Sequence, residues 1–333
     1  MIQNMQIGKS DVRAPKLTLG TFGMGGGTSW QDTTKDDNEL IEMIRQAHDE
    51  YGINSIDTAP VYGTGRSEKI IAEAIKGHRE DYFIATKCSL NWRKEEGLFE
   101  YSRDGLSVYR CFMQESLIQD CEDSLRRLGT DYIDTMIIHR CPKDEEMKMA
   151  MDAMQTLKDR GLIRAVGLSN AMLGPHFEQS VELACQYGEL DLLQEGASLL
   201  ARDLMDRYVK ICEAHNITYQ TYGALEKGAL AGKIIENVNE WKGDNRSGYK
   251  WFQPEGIVKL NALTKALAPI AERNNCTIPV LCLAWVLAQS ECVNLLVGAR
   301  KISSVADTVK VFDVKLSPED VAEMNRLSDE ANA

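Results

Sequence analysis

The sequence predicts an α/β fold in which strands and helices alternate eight times and close into a (β/α)8 TIM barrel. Three observations carry that prediction. Eight short apolar runs recur along the chain, each separated from the next by a longer stretch with helical period. Strands that alternate with helices pair in parallel through right-handed crossovers. No linker or low-complexity tract divides the 333 residues, so residues 1–333 read as one domain. Eight units in that length favour a closed barrel, which leaves no sheet edge exposed.

The elements follow in order. Met5-Gln6-Ile7 and Asp11-Val12-Arg13, joined by Gly8-Lys9-Ser10, predict a small N-terminal β-hairpin ahead of the barrel. Residues 17–19 form the first barrel strand. The helix after it carries Leu40, Ile41, Ile44 and Ala47 on one face, and Thr34 and Asp37 stand at capping-box spacing at its start. Residues 55–57 and 82–86 are the second and third strands. Leu117, Cys121, Leu125 and Leu128 share a helix face before the fourth strand, 132–138. Met147, Met151, Met154 and Leu157 form the stripe of the next helix, closed by Gly161; methionines at this spacing read as packing. Residues 164–168, 190–193, 217–222 and 294–297 complete the eight. Extended loops follow strands three and seven, at 88–113 and 224–256, and long ordered loops are usually functional.

Composition narrows the function. The chain has 50 acidic against 38 basic residues, a net charge of -12. Such a surface repels phosphodiester backbones and anionic lipid, so neither nucleic acid nor membrane is an expected partner. The longest apolar stretch, 278–288, is too short to span a bilayer, and residues 1–9 show no signal-peptide pattern. Nine cysteines, an odd count without a CxxC pair, read as free thiols in a reducing cytoplasm. The five histidines form no HxxxH or His/Cys cluster, so no metal is expected.

In a barrel, the C-terminal strand ends converge on one mouth. Asp57 ends the second strand and Tyr62 lies just after it. Lys87 ends the third strand and His139 the fourth. Reducing a carbonyl by hydride requires a proton for the developing alkoxide. A tyrosine of ordinary pKa, about 10, is a poor acid-base group near neutrality. An ammonium beside it favours phenolate, a carboxylate keeps that ammonium charged, and a histidine can hydrogen-bond the carbonyl oxygen. Tyr62, Lys87, Asp57 and His139 match those four tasks. A second chemistry is a Schiff-base lysine, which barrel aldolases also place on a strand.

The segment Asp57-Thr58-Ala59-Pro60-Val61-Tyr62-Gly63, with Gly65, Ser67 and Glu68, resembles the signature of the aldo-keto reductases around their catalytic aspartate and tyrosine. Ala85-Thr86-Lys87 is similar to the segment bearing that family's lysine. The stretch 124–134, leading to Ile138-His139-Arg140, is similar to the one bearing its histidine. The resemblance covers roughly residues 5–328. It implies a bacterial-type NAD(P)(H)-dependent oxidoreductase acting on a small carbonyl or alcohol substrate. It also leaves room for a non-catalytic, cofactor-sensing subunit of the same fold.

The resemblance implies further site residues. Ser169, Asn170 and Gln194 would hold the nicotinamide carboxamide, and the Tyr222 ring would stack on the nicotinamide. Gly223-Ala224 stands where the family more often has Ser-Pro. Leu225, Lys227 and Gly228 would line the pyrophosphate. Gly298, Arg300, Lys301, Ser304, Asp307 and Thr308 would meet the adenosine end. Ser304 replaces the family's usual Gln or Arg, and Asp307-Thr308 replaces Glu-Asn, so NADP(H) and NAD(H) both stay open, with family habit tipping toward NADP(H). Gly23-Met24-Gly25-Gly26-Gly27 lacks the helix context of a dinucleotide fingerprint and reads as a wall of the mouth. Trp30, Trp92 and Arg93 are the expected substrate contacts, suited to a small hydroxylated molecule such as a sugar or polyol derivative. Reaction direction and oligomeric state stay open.

Overall fold

The computed structural model describes residues 2–26, 36–103, 105–171, 177–236 and 246–333. Two short strands, β1 (Asn4–Gln6) and β2 (Arg13–Pro15), precede β3 (Leu17–Gly20) and helix α1 (Asp37–Tyr51). Then come β4 (Ser55–Asp57), α2 (Arg66–Ala74) and β5 (Phe83–Cys88). Three strands, β6 (Leu90–Asn91), β7 (Leu98–Arg103) and β8 (Leu106–Arg110), separate β5 from α3 (Gln114–Leu128). The alternation resumes with β9 (Ile133–Ile138), α4 (Asp144–Asp159), β10 (Ile163–Ser169), α5 (Phe177–Tyr187), β11 (Leu192–Gly196), α6 (Met205–His215) and β12 (Thr218–Tyr222). Helices α7 (Pro254–Arg273) and α8 (Ile278–Leu287) lead to β13 (Val293–Gly298), α9 (Ile302–Thr308) and α10 (Pro318–Asn332).

Strands β3, β4, β5, β9, β10, β11, β12 and β13 form a closed barrel in that order, β13 pairing in parallel with β3. All eight overlap the runs predicted from sequence. The helix faces predicted above are the buried ones: Leu117, Cys121, Leu125 and Leu128 on α3, and Met147, Met151, Met154 and Leu157 on α4. Helix α8 is buried on nearly every side, which explains its unbroken apolar sequence. Among the described residues no helix is long and apolar enough to cross a membrane.

Three local predictions need correction. The hairpin pairs Met5 with Ala14, so its second strand is Arg13–Pro15 and not residues 11–13. The turn is wider because Ile7 N–H bonds Val12 O at 2.9 Å and Ser10 Oγ donates to Ile7 O at 2.6 Å. Helix α1 is capped by Asp36, whose side chain accepts from Asn38 N–H, so Asp37 is its first residue; Thr34 lies outside the described residues. The loop after the third barrel strand is a three-stranded antiparallel sheet ordered β6-β8-β7.

The hairpin seals the N-terminal end of the barrel. Ile7, Val12 and Ala14 pack with Phe83, Ala85, Ile137, Ala165 and Leu192. Gly8 N–H donates to Thr218 Oγ1 at 2.9 Å. A Cβ on Gly8, which sits at φ +54, would come within 2.3 Å of Asp191 O, so only glycine permits this docking. The barrel interior also carries a chain of paired polar side chains. Ser55 Oγ meets Thr18 Oγ1 at 2.8 Å, and Thr18 donates to Asn294 Oδ1 at 2.9 Å. Gln220 Nε2 donates to the same Asn294 oxygen at 2.9 Å, and Gln194 Nε2 donates to Gln220 Oε1 at 2.7 Å. Buried polar groups persist only when paired in this way.

Candidate active site

Each of the four predicted chemical residues lies at or just beyond the C-terminal end of a barrel strand: Asp57 on β4, Tyr62 in the turn beyond it, Lys87 on β5 and His139 after β9. Lys87 is fully buried. Its Nζ donates to Asp57 Oδ1 and Oδ2, both at 2.7 Å, and to Thr58 O at 2.8 Å. All three ammonium hydrogens thus have acceptors. Nζ also stands 5.1 Å from the centroid of the Tyr62 ring. The Tyr62 and His139 rings meet edge to face, with centroids 6.1 Å apart.

The rest of the 57–68 segment positions these groups. Thr21 Oγ1 donates to Asp57 O at 2.9 Å, and Ser67 Oγ joins Thr21 Oγ1 to Thr58 Oγ1 at 2.7 and 2.9 Å. Buried Glu68 accepts from Thr86 Oγ1 at 2.8 Å and from Arg127 Nε at 2.5 Å, which fixes β5 beside Lys87. Tyr62 is aimed by two glycines. A Cβ on Gly25 would lie 2.6 Å from Tyr62 C, and one on Gly63, at φ +62, would lie 2.2 Å from Gly25 O. The backbones of the two loops therefore touch at Gly25 and Gly63; Gly27 lies outside the described residues. Phe22 closes the other side, its ring 5.1 Å from that of Tyr62.

The electrostatics differ from the expectation for the tyrosine. Burial pushes the Tyr62 hydroxyl well above its ordinary value, and Asp57 raises it further, while Arg140 pulls it down. Burial outweighs the cations nearby, and the Lys87 ammonium is itself bound by both Asp57 oxygens. Burial also lowers Lys87, against the pull of Asp57. His139 is held well below the usual imidazole range by burial, then by Lys87 and Arg140. Tyr62 is therefore a neutral hydroxyl and His139 a neutral imidazole near pH 7.

The predicted carboxamide residues cluster beside the mouth. Ser169 Oγ donates to Gln194 O at 2.9 Å, and Asn170 Nδ2 donates to His139 O at 2.8 Å. Tyr222 OH donates to Asn170 Oδ1 at 3.2 Å, and its ring lies close enough to Gly196 that a Cβ there would meet it at 3.3 Å. Gln194 gives its amide hydrogens to Asp57 Oδ2 at 2.7 Å and to Gln220. It thus orients the carboxylate. An aromatic face beside an amide and a hydroxyl fits a nicotinamide in donor chemistry and shape.

Leu225, Lys227 and Gly228 lie around the short 3-10 turn Glu226–Gly228 after β12. Sequence reasoning passed over Glu226, whose buried carboxylate accepts from Ser198 Oγ and Tyr249 OH and so ties the turn to the segment before α7. Lys227 Nζ lies 4.7 Å from the Tyr249 ring centroid. Gly298 ends β13 opposite Gly20, and the Arg300 side chain lies over Gly23 at 3.3 Å from a Cβ built there. Lys301 caps α9 and is exposed. Asp307 pairs with Lys310 at 3.0 Å, and Thr308 donates to Ser304 O at 2.8 Å, so both side chains are used within their own segment.

The expected substrate contacts fare differently. Trp30 lies outside the described residues. Trp92 lies beside Arg127, whose guanidinium is 5.7 Å from its ring centroid. Arg93 binds Asp120, Asp123 and the Ser116 hydroxyl, which pins the loop to α3. Its charge serves that anchor. The loop instead brings Glu100 to Arg140, whose Nε donates to Glu100 Oε1 at 2.7 Å. Sequence reasoning quoted Arg140 beside His139 without assigning it a task; its place directly after the predicted histidine was the available signal.

Comparison with known proteins agrees with this arrangement. The model of the aldo/keto reductase family matches residues 16–329. An NADH-specific methylglyoxal reductase of Escherichia coli (strain K12) is 33% identical over 332 residues, 98% of this chain and 99% of that protein. The aldo-keto reductase YhdN of Bacillus subtilis (strain 168) is 30% identical over 325 residues, covering 96% of this chain and 92% of its own. Among solved structures, a glycerol dehydrogenase from Gluconobacter oxydans superposes with a TM-score of 0.85 at 31% identity, covering 97% of this chain and 94% of its own. Fold and matches together define an NAD(P)(H)-dependent oxidoreductase built on a (β/α)8 barrel. The chain belongs to the aldo/keto reductase family.

Proposed function

We propose that the protein reduces a small hydroxylated aldehyde or ketone to its alcohol, or runs the reverse reaction, with Tyr62 as the proton donor and acceptor. The observation that carries this reading is the saturated Lys87–Asp57 pair set against the Tyr62 ring, with the His139 ring at its edge. A bound nicotinamide would supply or accept the hydride. Tyr62, held neutral by burial, donates its proton to the alkoxide oxygen as charge develops there. Neutral His139 donates a hydrogen bond to the same oxygen and sets its orientation. The Lys87 ammonium, held in place by Asp57, is the cation nearest the phenolate left on Tyr62. The Schiff-base alternative is disfavoured because Lys87 Nζ is buried and already meets three acceptors.

Ser169, Asn170, Gln194 and Tyr222 are the proposed nicotinamide contacts. Leu225, Lys227 and Gly228 would face the pyrophosphate, and Gly298, Arg300, Lys301 and Ser304 the adenosine end. Arg300 and Lys301 suit a 2′-phosphate and hence NADP(H); the Escherichia coli relative is NADH-specific by name, and NAD(H) is the competing outcome. The methylglyoxal reductase and glycerol dehydrogenase relatives are both named for small oxygenated compounds, which supports the substrate class. Nine free thiols fit a cytoplasmic protein.

Tyr62→Phe tests the reading against a purely cofactor-sensing role. It removes the proton and keeps the ring, so carbonyl reduction should fall by about 10²- to 10⁴-fold while cofactor binding persists. Near-normal kcat in that variant, or a wild-type protein that binds cofactor but turns over no carbonyl compound, would overturn it.

A further inference from the structure

We infer that Arg140 selects the substrate, and that the substrate carries an anionic oxyacid group, a carboxylate or a phosphate, beside the carbonyl-bearing part. The inference rests on the carbonyl-reducing reading of the same mouth. Arg140 directly follows His139 at the end of β9. Its backbone N–H donates to Ser89 Oγ at 3.2 Å, and the Ser89 N–H is held by Asp120 Oδ2 at 2.8 Å, so the base of the residue is fixed from below. Its side chain is fixed on one edge only, by the bond from Nε to Glu100 Oε1 at 2.7 Å. The two terminal guanidinium nitrogens have no acceptor among the described residues. That leaves a pre-oriented fork, the geometry that pairs with a carboxylate or phosphate through two parallel bonds.

Charge points the same way. Lys87 and Asp57 cancel each other, and Tyr62 and His139 are neutral. Glu100 is shared, since its Oε2 also lies 3.6 Å from Arg110 Nε. Two arginines therefore share one glutamate at this edge of the mouth, in a chain whose net charge is -12. The Arg140 charge also acts on the mouth from inside: after burial, it is among the influences on Tyr62, His139 and Tyr222 alike. The Arg140 side chain is 22% exposed, open enough to receive a ligand and dry enough to make the pairing worth having.

The test is steady-state kinetics on the full-length protein with its cofactor, using matched pairs. Butyraldehyde is set against succinic semialdehyde, and glyceraldehyde against its 3-phosphate, for the wild type, Arg140→Gln and Arg140→Lys. The wild type should favour one or both anionic members. Arg140→Gln should lower the anionic-to-neutral ratio of kcat/KM by about 10- to 100-fold, chiefly through KM. Arg140→Lys keeps the charge and loses the fork, so it should fall between, which also covers the case in which Arg140→Gln folds poorly. The pair with the larger Arg140-dependent loss identifies the carboxylate or the phosphate as the recognised group. A wild type that turns over the neutral members with no preference for either anion, or an Arg140→Gln ratio equal to the wild type's, overturns the inference while leaving the reductase reading intact. No turnover of any member would overturn both.

Discussion

Replacing Lys87 by Met tests the energetics of the mouth apart from its chemistry. Methionine keeps the length and the apolar stem but removes the ammonium from a site that is fully buried. Asp57, 2% exposed, then loses two bonds of 2.7 Å and keeps only the Gln194 amide. Thr58 O loses its 2.8 Å donor as well. Removing one partner of a buried ion pair costs about 3–5 kcal/mol, because the other charge stays behind unpaired. Asp57→Asn in the same background removes that stranded charge, so the double variant should be more stable than Lys87→Met alone by at least ~1 kcal/mol. Urea unfolding at pH 7, with matched slopes, reads both quantities. A Lys87→Met loss under ~1 kcal/mol, or a double variant less stable than the single, would refute the reasoning.

Gly25→Ala should lower kcat without a matching loss of cofactor affinity, because the new Cβ would sit 2.6 Å from the Tyr62 carbonyl carbon and must push that residue off its aim; unchanged kcat would show that the two loops part freely. Arg300→Ala should weaken NADP(H) by about 10- to 100-fold and NAD(H) much less; titration of both cofactors checks it, and equal small losses assign NAD(H). Burial, against the opposing pull of Arg93, raises Asp120 from 3.8 to about 6. Between those values the folded state binds a proton that the unfolded state has released, so stability falls as pH rises from about 4 to 6, by a total of order 3 kcal/mol. Asp120→Asn should lack that slope in unfolding curves taken across the window; parallel wild-type and variant curves would count against it.

Much of this was legible in the sequence. Barrel strands are short apolar runs, and the tetrad sits in segments whose residue order is itself the signal. The sheet inside the loop after β5 was also legible: the sequence Asp104-Gly105 stands between two runs of strand-forming residues, a strong sequence signal for a hairpin. The anchoring of Arg93 was not legible. Asp120 and Asp123 lie one helical turn apart on α3, and only the fold shows that this face is turned toward the loop. The bond from Gln194 to Asp57 joins residues that are 137 positions apart and leaves no local trace in the sequence.

The hairpin that seals the barrel floor makes the chain's first residues wait for its later ones. Gly8 and Thr218, joined by a hydrogen bond, are 210 residues apart. At a synthesis rate of about 5–20 residues per second, roughly 10–40 s separate their emergence. During that interval Ile7 and Val12 have no floor to enter, and Phe83, Ala85, Ile137 and Leu192 arrive one after another at an unsealed opening. The floor of the barrel therefore closes only once the sixth and seventh barrel strands are in place.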